Sequence, residues 1–395
     1  MALETKQKVE HIHEQMVMWR RHLHEHPELS FEEVETPLYI EKQLRKLGIT
    51  DITTGVGGRG IVARIKGVKP GKTIAFRADF DALPIDEEND VSYASKVPGK
   101  MHACGHDGHT AALLGFAAIM KDQVEQLAGT IVLIFQHAEE LPPGGAKEMI
   151  ADGCLDDVDV IFGAHVSSHL PLGKVSCTPG AVMAAVDKFR IHIQGKGGHG
   201  AQPHTTLDSI VVGSQLVNEL QTIVSRRVDP MAPAVVTVGV FQAGTAFNVI
   251  ADTATIEGTV RTFDAGVRQK VEDELRAIVK GKEQSTHVTT DVDYLNGYPT
   301  LVNSEKESDI VRQLVTDVLG EKSAMMAPPI LGGEDFAYYL TKKPGAFFHV
   351  GARTEEAYTQ FPHHHPRFDF DEHALNHIAS LFLALTNHYL IENEI

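Results

Sequence analysis

Apolar and polar positions along the chain follow two textures. In the first, short runs rich in β-branched and aromatic residues alternate with helical patterns. Gly60–Ile65, Thr73–Phe76, Thr130–Phe135 (TIVLIF) and Val158–Phe162 predict strands, and Thr110–Lys121 and Gly145–Ala151 predict helices. Residues 4–25 read as a polar helix. Ser30 and Glu33 form a capping-box pattern for a second helix, which Gly48 should stop. Strands alternating with helices imply an α/β domain with a largely parallel sheet.

The texture changes near residue 184. Lys188–Gln194 (KFRIHIQ) alternates apolar and polar positions, as a strand with one wet face does. A helix at Ser209–Val224 follows, then Ala234–Phe241, Ala254–Phe263, a helix near Val267–Val279, and Val288–Tyr294. That order, β-α-β-β-α-β, predicts a second domain whose sheet is covered on one face. Past Pro299 the first texture returns, with a helix at Glu305–Leu319, a strand at Ala346–Val350 and a helix at His373–Tyr389. The expected organisation is one α/β domain formed by residues 1–185 and 298–395, interrupted by a smaller domain at 186–297.

Composition narrows the function. The 395 residues carry a formal net charge of −17, which disfavours nucleic acid and anionic membranes, both of which call for clustered Lys and Arg. The three cysteines, Cys104, Cys154 and Cys177, are too few and odd in number for a disulfide framework and suit a reducing compartment. The longest apolar stretch, Ala111–Met120, is too short to span a bilayer, and residues 1–30 offer no signal-peptide pattern. A soluble, cytoplasmic protein is expected.

Three predicted strands run into the same kind of chemistry. The first leads into Arg77-Ala78-Asp79-Phe80-Asp81, the second into Gln136-His137-Ala138-Glu139-Glu140, the third into Gly163-Ala164-His165. Ligands of open α/β sheets bind at the carboxyl ends of strands, so one shared site is the economical reading. Between the first two strands lies Met101-His102-Ala103-Cys104-Gly105-His106-Asp107-Gly108-His109. Thiolate, imidazole and carboxylate donors together suit zinc and its first-row neighbours rather than calcium or magnesium. For His102 and His109 a structural role is at least as good a reading. Glu139 and Glu140 would diverge on a straight strand, but Pro142-Pro143-Gly144-Gly145 implies a bend. One could then bind metal while the other serves as general base. Phe361-Pro362-His363-His364-His365-Pro366 adds another imidazole. Neither a dinucleotide fingerprint, a P-loop nor a G-x-S-x-G elbow occurs.

Nine segments, in order, resemble the aminoacylase and hippurate hydrolase family of two-metal amidohydrolases and peptidases, nearest its indole-acetyl-amino-acid hydrolase branch. They are RRHLHEHPELSFEE (20–33), RADFDALP (77–84), MHACGHDGH (101–109), FQHAEE (135–140), GAHV (163–166), GKGGHGAQPH (195–204), FNVIADTATIEGTVRTF (247–263), GGEDFAYY (332–339) and HHHPRFDFDE (363–372). The resemblance implies a zinc-peptidase-like α/β domain with an inserted ferredoxin-like lid and dimerisation domain. It implies two divalent cations (Zn, Mn, Co or Ni) on Cys104, His106, Glu140, His165 and His364, with Cys104 bridging. It makes Glu139 the general base and Asp81 the support behind His106. It gives His199, reaching into the partner subunit of a homodimer, the oxyanion, and Asn248 and Arg261 the substrate carboxylate. The implied reaction is hydrolysis of N-acyl-L-amino acids. A metallo-carboxypeptidase or dipeptidase, an N-acetyl-diaminopimelate deacetylase and a non-catalytic metal-binding protein are the alternatives.

Overall fold

The computed structural model describes residues 2–391, and side chains from Lys6 onward. Chain contacts divide it into two compact units: Met1–Gly180, Val302–Pro328 and Asp335–Ile395 form the first, Ala181–Leu301 and Pro329–Glu334 the second.

In the first unit, helices α1 (Ala2–Glu25) and α2 (Glu35–Lys46) precede strands β1 (Ile52–Val56), β2 (Gly60–Lys66) and β3 (Lys69–Asp79). Helix α3 (His106–Met120), strand β4 (Ala128–Gln136), helix α4 (Gly145–Ala151) and strand β5 (Val160–Pro171) follow. The eight-stranded sheet runs β1-β2-β4-β3-β5, then Gly345–Arg353, Val175–Ser176 and Ala324–Met325. Its middle, from β4 through β3 and β5 to Gly345–Arg353, is parallel, and β1 and β2 are antiparallel additions at one side. A parallel sheet must be covered on its faces. Accordingly α3 packs between α1 and the helix His373–Leu390, and the ring of Phe76 on β3 lies 4.8 Å from Phe116 and 4.6 Å from Phe382.

Three local expectations change. The capping box does not form: α2 begins after Val34, whose side chain makes no cap, and Glu28 instead accepts from the amides of Val34, Glu35 and Thr36 at 2.8–3.0 Å. Ser30 and Glu33 turn elsewhere, as described below. Helix α3 starts at His106, four residues before the apolar run that predicted it, because Gly105 takes a left-handed conformation (φ 94°) that opens the helix. Strand β5 continues past His165 to Pro171, because Gly345–Arg353 goes on pairing with it after β3 stops at Gly163.

In the second unit, four antiparallel strands lie in the order Ala234–Ala243, Thr253–Thr262, Ala185–Gln194, Thr289–Asn296, with helices Ser209–Thr222 and Ala265–Thr286 between them in sequence. This is a β-α-β-β-α-β unit. It has its own core, in which Phe189, Ile191 and Ile193 meet Leu216, Leu220, Val271 and Leu275. Among the described residues no helix is long and apolar enough to cross a membrane.

Candidate metal centre

The carboxyl end of β3 delivers Asp79 and Asp81, the end of β4 leads to Glu139 and Glu140, and β5 carries His165. Cys104 sits in the turn before α3, and His106 is that helix's first residue. His364 arrives from a C-terminal loop in a left-handed conformation (φ 65°), its amide held by the Ala103 carbonyl at 2.8 Å. These segments bring donor atoms together in overlapping groups. Cys104, His106 and His165 form one, Cys104, Glu140 and His364 a second, His106, Glu139 and Glu140 a third, each within 4.8 Å. Cys104 Sγ lies 3.5 Å from His165 Nε2, and Glu140 Oε1 lies 3.4 Å from His364 Nε2.

The two adjacent glutamates converge because the chain bends before them rather than only after. Ala138 is left-handed (φ 52°), a conformation rare outside glycine, and it turns both carboxylates toward His106.

Tautomers follow from the surroundings. His106 Nδ1 meets the backbone oxygen of Asp81 at 3.0 Å and its carboxylate at 3.1 Å, which directs the Nε2 lone pair at the cluster. That nitrogen is buried with no hydrogen-bond partner. His165 Nδ1 likewise donates to the Val166 carbonyl at 2.6 Å, turning Nε2 toward Cys104. The other oxygen of Asp81 accepts from the Glu140 amide at 2.9 Å and from Ser30 Oγ at 2.7 Å. One carboxylate thus fixes an imidazole and the backbone of a neighbouring glutamate.

Electrostatics ask for a cation. Burial, then Glu140, Glu139 and Asp79, hold the Cys104 thiol well above its usual range. Burial works against a charged His106, but Asp79, Asp81 and Glu140 outweigh it and raise the imidazole to about 10. Divalent metal supplies positive charge to such a site and takes thiolate and neutral imidazole as ligands. The soft sulfur, the imidazoles and the carboxylate, together with the unpartnered Nε2 of His106, fit a first-row transition ion.

Other residues singled out from the sequence lie as follows. His109 is structural: its Nδ1 meets Asp79 at 2.6 Å and its Nε2 accepts from the Val166 amide at 2.9 Å. His102 is buried, and burial lowers it to about 4. Within the histidine run, His363 is turned to the Ser168 amide at 3.2 Å and His365 to the Arg367 amide at 3.0 Å, leaving His364 beside Glu140. In the second unit, His199 and Asn248 are exposed neighbours: Val249 pairs with His199, and the Gly200 amide donates to the Asn248 carbonyl at 2.9 Å. Arg261, half-buried on its strand, donates to the backbone oxygens of Leu331 at 3.1 Å and Val260 at 3.2 Å, and to the Thr259 hydroxyl.

Sequence reasoning missed the layer beneath. Arg77 is fully buried and donates to Asp79 (2.6 Å), Asp335 (2.8 Å) and Gln136 (2.8 Å), tying β3 to β4 and to the segment after Gly333. Arg20 and His24 of α1 both reach Asp107, at 2.9 and 2.8 Å, directly behind His106. The signal was present in RRHLHEHPELSFEE: Arg20 and His24 stand four residues apart, on the helix face that also carries Met16 and Trp19 into the core.

Residues 75–388 match peptidase family M20/M25/M40, and the chain belongs to that family: it is a hydrolase acting on amide bonds. Among its relatives, the provisionally named amidohydrolase YhaA of Bacillus subtilis (strain 168) is 49% identical over 389 residues, 98% of each chain. An N-acyl-L-amino acid amidohydrolase of Geobacillus stearothermophilus is 47% identical over 303 residues, 77% of this chain and 82% of that one. The crystal structure of the Bacillus subtilis YXEP protein, a dinuclear metal binding peptidase, superposes with a TM-score of 0.81 at 38% identity, covering 95% of this chain and 98% of the other.

Proposed function

We propose that this chain hydrolyses N-acyl-L-amino acids, holding two divalent cations (Zn, Mn, Co or Ni) on Cys104, His106, Glu140, His165 and His364, with Glu139 as general base. The observation that carries the reading is Cys104: a buried thiol shared between two groups of metal-binding atoms, raised by that burial and then by three carboxylates. The dinuclear relative and the N-acyl-amino-acid-cleaving relative support it.

When held there, divalent cations would supply Lewis acidity toward an amide carbonyl and toward water. The chain's own residues do the rest. Glu139 is 6% exposed and reaches to 4.0 Å from His106 Nε2, so its carboxylate can take a proton from water and return it to the departing amine nitrogen. Asp81 keeps His106 in the ligating tautomer. His199 stabilises the oxyanion, and Asn248 and Arg261 hold the substrate carboxylate, which a guanidinium matches in bidentate fashion. A homodimer and a cytoplasmic location complete the proposal.

The test couples metal analysis of the purified protein to a panel of N-acetyl- and N-benzoyl-amino acids, N-acetyl-diaminopimelate and dipeptides. Two equivalents of transition metal with N-acyl amino acids cleaved fastest is the expected outcome. Protein that neither retains nor responds to a transition metal defeats the proposal, and faster cleavage of dipeptides moves the substrate class to true peptides.

A further inference from the structure

The segment Glu28–Val34 makes no catalytic contact, yet it reaches the loop that carries the two glutamates. The Ala82 amide donates to the Glu28 carbonyl at 2.8 Å and Leu29 bridges Ala82, which fixes the segment beside the end of β3. Phe31 takes a left-handed turn (φ 65°) that sends Glu33 inward. Glu33 is fully buried, and its Oε1 accepts from the amide of Ala138 at 2.8 Å. Ala138 is the left-handed residue immediately before Glu139, and its own carbonyl accepts from Gly145 at 3.0 Å. On the far side of Glu139, the Glu140 amide is held by Asp81.

Two buried carboxylates therefore grip the amides on either side of one residue. An alanine adopts a left-handed backbone only where its surroundings impose it. On a straight strand, successive side chains point to opposite faces, and Glu139 and Glu140 could not share His106. The Ala138 amide is buried in a bend that no sheet neighbour pairs, so without Glu33 that N–H would be left without an acceptor.

We infer that Glu33 is a positioning residue for hydrolysis: by accepting from the Ala138 amide it holds the left-handed turn that aims the Glu139 carboxylate. The inference rests on the proposed role of Glu139. Glu33 acts from outside the ligand set, so losing it should disturb aim and leave the metal in place. Its carboxyl does not need charge for this work. Burial, then the neighbouring Asp81, raise Glu33 to about 8, so an uncharged amide oxygen is an adequate substitute.

The experiment compares the holoenzymes of Glu33→Leu, Glu33→Gln, Glu33→Asp and Glu33→Leu/Ala138→Gly for kcat, KM, metal content and melting temperature, on an N-acyl amino acid. Misplacing a reacting group by about 1 Å can cost on the order of 10²-fold in rate. Glu33→Leu should lose about that much kcat with KM and metal content near the parent values. Glu33→Gln, which keeps the acceptor, should restore most of it. Added glycine at 138, which adopts the turn without help, should return about tenfold of the loss in the double variant. Parent-like kcat in Glu33→Leu, equal loss in the Leu and Gln variants, or loss that tracks departure of metal overturns the inference. Should Glu33→Leu fail to fold, Glu33→Asp is read in its place: its shortened acceptor withdraws from Ala138, and unchanged kcat there is equally fatal. Glu139→Gln is run alongside. Full turnover in that variant removes the base assignment itself, an outcome separate from any result at Glu33.

Discussion

The carboxylates of Glu139 and Glu140, adjacent in sequence, stand 4.0 and 3.8 Å from one atom, His106 Nε2. The two roles proposed for them make the residues separable by mutation. Glu139→Gln is expected to keep its metal and lose about 10²–10⁴-fold in kcat, the usual worth of a positioned general base. Glu140→Gln is expected to lose metal. Steady-state kinetics beside elemental analysis of each variant check both, and the assignment is reversed if the metal loss falls on Glu139→Gln.

Asp81 is the next position to probe, since it holds His106 on one oxygen and the Glu140 amide on the other. Removing such support behind a ligand costs about 10–100-fold in metal affinity or activity. Asp81→Asn should fall in that range when metal affinity is measured by chelator competition. Parent-like affinity would mean the His106 orientation is set elsewhere.

Arg261 offers a test in the second unit. Its hydrogen-bond partners are neutral oxygens, and burial lowers its pKa, so a substrate carboxylate would be a better partner than any it has. Hydrogen bonds to charged groups contribute about 1.5–3 kcal/mol, or roughly 10–150-fold. Arg261→Ala should raise KM by that order for an N-acyl amino acid and hardly at all for its carboxamide. Equal effects on the two substrates would remove Arg261 from carboxylate recognition.

His24 gives the protein a pH-dependent contribution to stability. Burial opposes its charge, but Asp107 and Glu87 prevail and raise it to about 9. A folded pKa above the unfolded value, near 6.5, stabilises fully below pH 6.5 and is lost as pH climbs through 9. The melting temperature of the parent should therefore exceed that of His24→Gln most at pH 6, and the gap should narrow by pH 9.5. A gap of constant size would show that His24 contributes packing alone.

Much of this was legible in the sequence, and for identifiable reasons. Strands such as Ala128–Gln136 announce themselves because burial on both faces requires an unbroken apolar run. Glu139, Glu140 and His165 stand out because metal-binding types crowd where strands end, Cys104 and His106 because they crowd just ahead of an apolar helix. What escaped was anything that depends on a partner distant in sequence. Ser30 and Glu33 have a capping-box spacing, yet they bond to Asp81 and Ala138, and no local pattern encodes that choice. His364 was singled out among three consecutive histidines by the resemblance alone; the backbone bond that seats it, to Ala103, spans some 260 residues that no local pattern connects. The bend at Ala138 carries no glycine to advertise it.

From Ala111 onward helix α3 is apolar all round; every one of its residues except Ile119 is buried, and it begins at His106 itself. Its amide hydrogens can then trade with solvent only through opening of the whole first unit, whereas surface loops trade through small local excursions. The imidazole at its head should therefore sit on a slowly opening part of the first unit. Stripping the ions should leave deuterium uptake along 110–118 almost unchanged, while the loop bearing His364, tied by few bonds, should take up label faster.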